Sequence, residues 1–513
     1  MKRFCRAVAF LAGCIVCFAA CSPDSKLTPE QKAAEKSLSY LKNDLMKYYY
    51  YWNTLVPDVK YTWETDIYKY FDDLLWTGDR WSWMMDGQDY MDMESGIVSG
   101  TYGASLAQPG SDPTGFFAGD GKVVVRFVYP NSPFANAGVS RGWILSAIDG
   151  KSTMDYYISP DPDTVTEAEA DARIAEFNNM INYPSTSQAR TFTFITNEGE
   201  TVEKSILAAA TLNTRPGLVK KIFTATDYPG LREKVGYFHY LSFLATEDVF
   251  GKSMMDDITE AMDYFKKNNV KTLILDLRYN GGGDSRASNL LVSYLAPASA
   301  VGKVYVKRTH NSNLAAQNDE DKVESPAKAI AALEKAGIEL SCKPDSPEFS
   351  RLYIITGKGS ASASEMSLNG LKPLSNLTHV GGVTYGKPNG MYVFMYPYLA
   401  SDRRKYQNGD YSGLKYVFLP ICFYNANGLG QNIPDDGIIP DFVCPDDIYH
   451  DFDASEMNIA SCLYNIVNGG YPHWEAPRSK AAGRPASEGR KLRLNSEDYD
   501  KNYGRYTLFP DFL

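Results

Sequence analysis

Two apolar runs, Leu273–Leu277 and Leu352–Thr356, each break off into small residues and resume as a helical pattern, over Ser285–Leu295 and Ala363–Leu371. A strand that feeds a helix through a tight turn is the unit of a parallel sheet with crossover helices. Strands and helices alternate in this manner from about Arg215 to Asp446, which predicts a mixed α/β fold. At the first junction stand Gly281-Gly282-Gly283-Asp284. Three bare glycines let backbone N–H groups approach a ligand closely, although a plain tight turn uses the same residues. The second junction is Gly359-Ser360-Ala361-Ser362.

Ser362 sits where that strand becomes a helix, and Lys387 follows 25 residues later in Thr384-Tyr385-Gly386-Lys387. A serine hydroxyl is a weak nucleophile near neutral pH and needs a base within hydrogen-bond reach. Lysine serves as that base only when burial pulls its pKa down far enough to free the amine. The amides at a helix start are open to an oxyanion, so Ala363, and Gly282 from the glycine junction, are the candidate donors. Glu365 lies one helical turn beyond Ser362. It orients substrate or lysine, or it is an exposed glutamate favoured by the helix dipole.

Taken in order, Asp276-Leu277-Arg278-Tyr279-Asn280-Gly281-Gly282, Ser362-Ala363-Ser364-Glu365 with its preceding small residues, Tyr385-Gly386-Lys387 and Gly437-Ile438-Ile439-Pro440-Asp441 resemble the C-terminal-processing (tail-specific) serine protease family. The resemblance covers about Thr214 to Asp446 and implies a ClpP/crotonase-like α/β domain with Ser362 as nucleophile, Lys387 as base and no metal or cofactor. Two positions depart from the family pattern. Met391 stands where active relatives commonly carry a glutamine that orients the amine, and Pro388 stands where glycine is usual. His239 falls where the family often has arginine, and reads as a substrate or oxyanion contact or only as a strand histidine. No Ser/His/Asp arrangement is supported, since His310, His379, His450 and His473 lack a matching motif.

Upstream, Val123–Val128 is a continuous strand pattern, followed by Ser132-Pro133 opening a short helix, Ala137-Gly138, and a strand ending Ile148-Asp149-Gly150. That series resembles a PDZ domain, which implies peptide capture by strand addition. Its carboxylate loop falls at Gly100-Thr101-Tyr102-Gly103 or near Gly115-Phe116-Phe117, and Asp155–Tyr183 reads as an insertion.

A chain of 513 residues exceeds one core, so several domains are expected. Residues 1–20 read as a signal peptide: Lys2, Arg3 and Arg6, an apolar run from Ala7 to Ala20, then Cys21. This resembles a bacterial lipoprotein signal, implying cleavage before Cys21, lipid on that cysteine and a place in the cell envelope, facing periplasm or cell surface; a plain secretory signal is the alternative. Residues 21–27 form a tether, 28–85 a helical region opened by the Thr28-Pro29-Glu30-Gln31 cap, 86–213 the PDZ-like domain, 214–446 the catalytic domain, and 447–513 an extension. Within these, Ala315–Glu324 reads as a surface loop or mobile lid and Pro477–Arg493 as a solvated tail. The remaining cysteines, Cys342, Cys422, Cys444 and Cys462, have no metal-ligand spacing and leave pairing open. Net charge of −10 without a basic stripe argues against nucleic acid. The expected partners are therefore a peptide or unfolded protein substrate and, through Cys21, a membrane; oligomeric state is left open. The competing reading is a catalytically decayed lipoprotein that binds peptides or glycan fragments on the same scaffold, favoured by Met391 and opposed by the intact Ser362 and Lys387.

Overall fold

The computed structural model describes residues 27–107, 122–157, 166–408 and 410–474. At its centre is a six-stranded sheet, ordered Gly217–Phe223, Val235–Tyr240, Thr272–Asp276, Arg351–Thr356, Leu377–Gly381 and Phe442–Val443. The first pair is antiparallel and the others are parallel. Both faces are covered, so the strands are apolar throughout rather than alternating with polar residues. Leu273, Leu275, Leu352 and Ile354 enter one core, with the helices Asp256–Lys267, Ser285–Leu295 and Ala363–Leu371. Ile274, Tyr353 and Ile355 point the other way, into a core closed by the helix Met457–Asn468. The overall class is mixed α/β and multidomain. Because Thr272–Asp276 and Arg351–Thr356 are parallel neighbours, their carboxyl ends open at one edge of the sheet, where ligands of such sheets bind.

Residues 447–474 are not an appendage, because the helix Met457–Asn468 is part of the sheet's second core. The stretch 28–85 holds two α-helices, Pro29–Ser39 and Ile67–Leu74, and the first starts with the reciprocal cap: Gln31 N donates to Thr28 Oγ1 and Thr28 N to Gln31 Oε1. It ends differently from the sequence reading, since Trp83–Asp86 is a strand paired antiparallel with Tyr416–Leu419. Leu41, Leu45 and Phe71 share a core with Tyr396 and Phe418. Residues 315–324 form neither an open loop nor a lid: Asp319–Lys322 is a strand on Val304–His310, tied by Arg308 to Asp319 and Asp321. Polar composition suggested a loop, but an edge strand tolerates charged residues on both faces. Between the helical region and the sheet lies a six-stranded antiparallel sheet that includes Ala104–Ala107, Val123–Val128, Ile144–Ile148, Arg190–Ile195 and Thr201–Ile206, with the short helix Pro133–Asn136 beside it. The inserted segment carries the helix Glu167–Asn182. Cys342, Cys422, Cys444 and Cys462 are unbridged. No helix among the described residues is long and apolar enough to cross a membrane. Cys21, Gly115–Phe117 and Pro477–Arg493 lie outside the described residues.

One buried cation joins these parts. Arg278, 1% exposed, pairs with Asp276 at 2.7 Å, with Glu456 at 2.6 Å and with Asp446 at 3.0 Å. Burial by itself would raise the Asp276 pKa, yet the Arg278 charge and hydrogen bonds hold it at about 2. Arg141 extends the network from the antiparallel sheet, donating to the carbonyls of His450 and Asp447. Removing one partner of a buried ion cluster leaves the other charges uncompensated. Arg278→Ala is expected to cost about 3–5 kcal/mol in urea denaturation; a loss under about 1 kcal/mol would show that water replaces the guanidinium.

Candidate active site

At the shared edge of the sheet, Ser362 is the residue before the helix Ala363–Leu371 and has φ 53° and ψ −112°. A non-glycine residue there is strained by about 1–3 kcal/mol and persists only where its surroundings fix it. Those surroundings are explicit. Asn280 O accepts from Ala361 N at 3.1 Å and from Ser364 Oγ at 2.9 Å, and Ser360 Oγ donates to Leu277 O at 2.8 Å. The glycine junction and the serine turn are thus stitched together by backbone carbonyls. Gly282, at φ 103°, lies so close that a Cβ on it would stand 2.7 Å from Ser362 Cβ. Close approach, and not only a turn, is what requires glycine here.

A cleft of about 1340 Å³ is lined by Ser362, Ala363, Gly282 and Lys387 together. Four of the five residues singled out from sequence therefore line one cleft. Gly282 N–H donates to Asn280 Oδ1 at 2.9 Å, so this amide is already engaged. Lys387 is held down to about pKa 8, primarily by burial, against the opposing pull of Asp79 and Glu365. Met391 lines the same cleft, and among the described residues no acceptor lies within hydrogen-bonding distance of the Lys387 amine.

The fifth residue, Glu365, is behind the wall. It is fully buried rather than an exposed helix-start side chain. Its carboxylate accepts from Ser362 N at 3.0 Å and Lys387 N at 2.9 Å on one oxygen, and from Gly386 N at 2.8 Å and Thr384 Oγ1 at 2.5 Å on the other. Burial raises its pKa, and these donors work in the opposite direction. Thr384 Oγ1 in turn accepts from Ile438 N at 2.7 Å. A Cβ on Gly386 would meet Asp435 O at 2.1 Å, and one on Gly437 would meet Thr384 O at the same distance. The lysine segment and the Gly437–Asp441 element are interlocked through two glycines.

His239 is a buried strand histidine. Its Nε2 lies 3.1 Å from Arg278 O, burial lowers its pKa to about 4, and it does not line the cleft. Sequence reasoning missed the turn Asp79–Trp81, which reaches the lysine segment from the helical region: Arg80 and Trp81 donate to Gly386 O. Its only local signal is Gly78-Asp79, an ordinary turn pair. Tyr279 was also overlooked; it lines the cleft at φ 65° beneath the Arg126 guanidinium, 4.9 Å from the ring centre.

Glu365→Gln replaces one accepting oxygen by an NH2 group that faces backbone donors. It is expected to cost about 1–3 kcal/mol of stability in urea unfolding, the cost of buried donors left unpaired. A change under about 0.5 kcal/mol would indicate that the carboxylate is not the element that fixes this site.

Residues 234–443 match the profile of Peptidase family S41. Among solved structures, one described as an S41 protease from Bacteroides fragilis NCTC 9343 superposes with a TM-score of 0.60 at 18% identity, covering 87% of this chain and 97% of its own. The photosystem II D1 C-terminal processing protease aligns at TM-score 0.41 and 15% identity, over 82% of this chain and 94% of that one. Mature CPAF aligns at 0.42 and 16%, over 86% and 99%. The α/β unit that carries the cleft is thus similar in sequence profile to a peptidase family, and the chain shares its fold with an S41 protease structure.

Proposed function

We propose that this chain is a serine endopeptidase that hydrolyses peptides or unfolded proteins through a Ser362/Lys387 dyad. The observation that carries the reading is one cleft, in a unit matching a peptidase family, lined by a serine on strained backbone and a lysine whose basicity burial has lowered. Ser362 Oγ attacks the scissile carbonyl carbon while its proton passes to Lys387 Nζ. Charge collects on the carbonyl oxygen, which the amide of Ala363 at the helix start faces, with Gly282 exchanging its Asn280 acceptor for it. Lys387 then gives the proton to the departing amine, leaving an ester on Ser362. Water attacks that ester with Lys387 as base, and the acid product leaves. Glu365 acts through the other two, as a positioning residue that fixes their backbones.

The cleft is lined by aromatic side chains, among them Trp76, Trp81, Trp83, Tyr90 and Phe127, which suits apolar side chains of an extended chain. The antiparallel sheet over 86–213 is proposed as a PDZ-like peptide-binding domain. Export and lipid attachment at Cys21 complete the proposal, placing the enzyme on the bacterial outer membrane, facing periplasm or cell surface.

Denatured casein tests the chemistry. Ser362→Ala and Lys387→Ala are each expected to retain below about 1% of wild-type cleavage while staying folded, and the double mutant to lose no more, as members of one unit do. Below about pH 8 Lys387 is mostly an ammonium, which cannot accept a proton, so kcat/KM is expected to rise with pH and level off above about 8. A folded wild type that binds peptide but cleaves nothing at any pH would favour the second reading, a decayed binding lipoprotein, for which Met391 on the same cleft as Lys387 is the supporting observation.

For the anchor, the mature protein is expected to begin at Cys21 and to partition into detergent, with Cys21→Ala soluble or unprocessed. A water-soluble wild-type chain that starts elsewhere, identified by N-terminal sequencing, would remove this part of the proposal.

A further inference from the structure

The Lys387 amine has no side-chain acceptor among the described residues, so its placement depends on how the backbone around it is held. On the amide side Glu365 does this for Gly386 and Lys387. On the carbonyl side, Pro388 O accepts from Asn425 N at 2.8 Å. The carbonyl that precedes Lys387, Gly386 O, accepts from Arg80 Nη2 at 3.1 Å and from Trp81 Nε1 at 3.2 Å. Both donors come from outside residues 234–443, the stretch that matches the peptidase family. Arg80 Nη2 also donates to Asp435 O, and the guanidinium lies 5.4 Å from the Tyr385 ring centre and 5.0 Å from that of Trp81. It therefore bridges the lysine segment to the Asp435–Gly437 turn that packs against Gly386.

The turn that presents these donors is itself rigid. Asp79 Oδ1 accepts from Trp81 N at 2.8 Å and Ser82 N at 3.0 Å, and Asp79 Oδ2 accepts from Tyr50 OH at 2.8 Å. Trp81 is 8% exposed and stacks on Trp52. Ser82 Oγ accepts from Ile421 N at 2.8 Å, joining the turn to the strand beside Met391.

We propose that the turn Asp79–Trp81 of the N-terminal helical region is a built-in positioning element of the active site, in which Arg80 and Trp81 fix Gly386 O and so aim Lys387 at Ser362 in place of a side-chain acceptor for the amine. The inference rests on the Ser362/Lys387 reading. It assigns the helical region a part in catalysis, and explains how the base is held although Met391 can neither donate nor accept a useful hydrogen bond.

A small fluorophosphonate tests base placement without the contacts of a long peptide. Ser362 Oγ displaces fluoride from phosphorus and its proton goes to Lys387, so the labelling rate reports the dyad itself. In the full chain, Arg80→Ala is expected to slow both labelling and kcat by about tenfold to a hundredfold, the scale of a small misplacement of a catalytic group, with KM changed less than kcat. Trp81→Phe keeps the ring packing, removes only the Nε1–H donor, and is expected to slow labelling several-fold; it decides the matter if Arg80→Ala fails to fold. Labelling at the wild-type rate in a folded Arg80→Ala, or in Trp81→Phe where Arg80→Ala does not fold, overturns the proposal and leaves the dyad standing. A loss confined to KM, with labelling unchanged, makes Arg80 a substrate contact and also overturns it. A wild type that is neither labelled at Ser362 nor able to cleave casein overturns the dyad and this inference together.

Discussion

Everything at the cleft depends on the carboxylate of Glu365. Burying it is costly, and that cost is offset because each oxygen receives two donors, three of them backbone amides and one the Thr384 hydroxyl. Those donors belong to two segments far apart in sequence: the strained serine turn and the lysine segment. One side chain thereby sets the separation between nucleophile and base. The unfavourable backbone at Ser362 is held by the same bond and by the two donors that converge on Asn280 O. Strain of this kind survives where several contacts over-determine it, and here they come from the helix after Ser362 and from the glycine junction.

The second layer of support is ionic. Arg278 follows the strand Thr272–Asp276 and precedes the glycine junction, so its contacts with Asp276, Glu456 and Asp446 anchor the base of that junction to the start of the helix Met457–Asn468. A buried ion cluster is weak evidence for net stability, because desolvation consumes most of the attraction. Its value here is geometric. Tyr279, at positive φ between Arg278 and the glycines, donates to Asp446 at 2.8 Å and carries the Arg126 guanidinium on its ring. The antiparallel sheet therefore meets the cleft through Arg126, while Arg141, from the turn before Ile144–Ile148, reaches the ion cluster beneath it.

Much of the central unit was legible because its signals are local. The helices Ser285–Leu295 and Ala363–Leu371 and the strand Val123–Val128 have the bounds that apolar periodicity, small residues and caps indicate. The burial of Glu365 was not legible, since a glutamate three residues into a helix looks the same whether it faces solvent or a second loop. Nor was the strand Asp319–Lys322, whose charged composition reads as loop until its partner Val304–His310 is known. The pairing of Trp83–Asp86 with Tyr416–Leu419 spans most of the chain and leaves no mark in either segment. An arginine that donates to a backbone carbonyl has no motif at all, because the acceptor is common to every residue.

The poise of Lys387 shows why these parts belong together. Burial lowers its pKa to about 8, while Asp79 and Glu365 act in the other direction. Either influence alone would give a poor base: an amine free of nearby carboxylates would be too weak to take the serine proton, and a solvated lysine would stay protonated near neutral pH. The opposing carboxylates come from different parts of the chain, Asp79 from the helical region and Glu365 from the helix after the nucleophile. Each already accepts hydrogen bonds from other donors, and neither forms a salt bridge with the amine. A glutamine at Met391 would hold the amine directly. Among the described residues the amine has no such partner, and the backbone that carries it is fixed instead by Glu365 from within and by Arg80 and Trp81 from without.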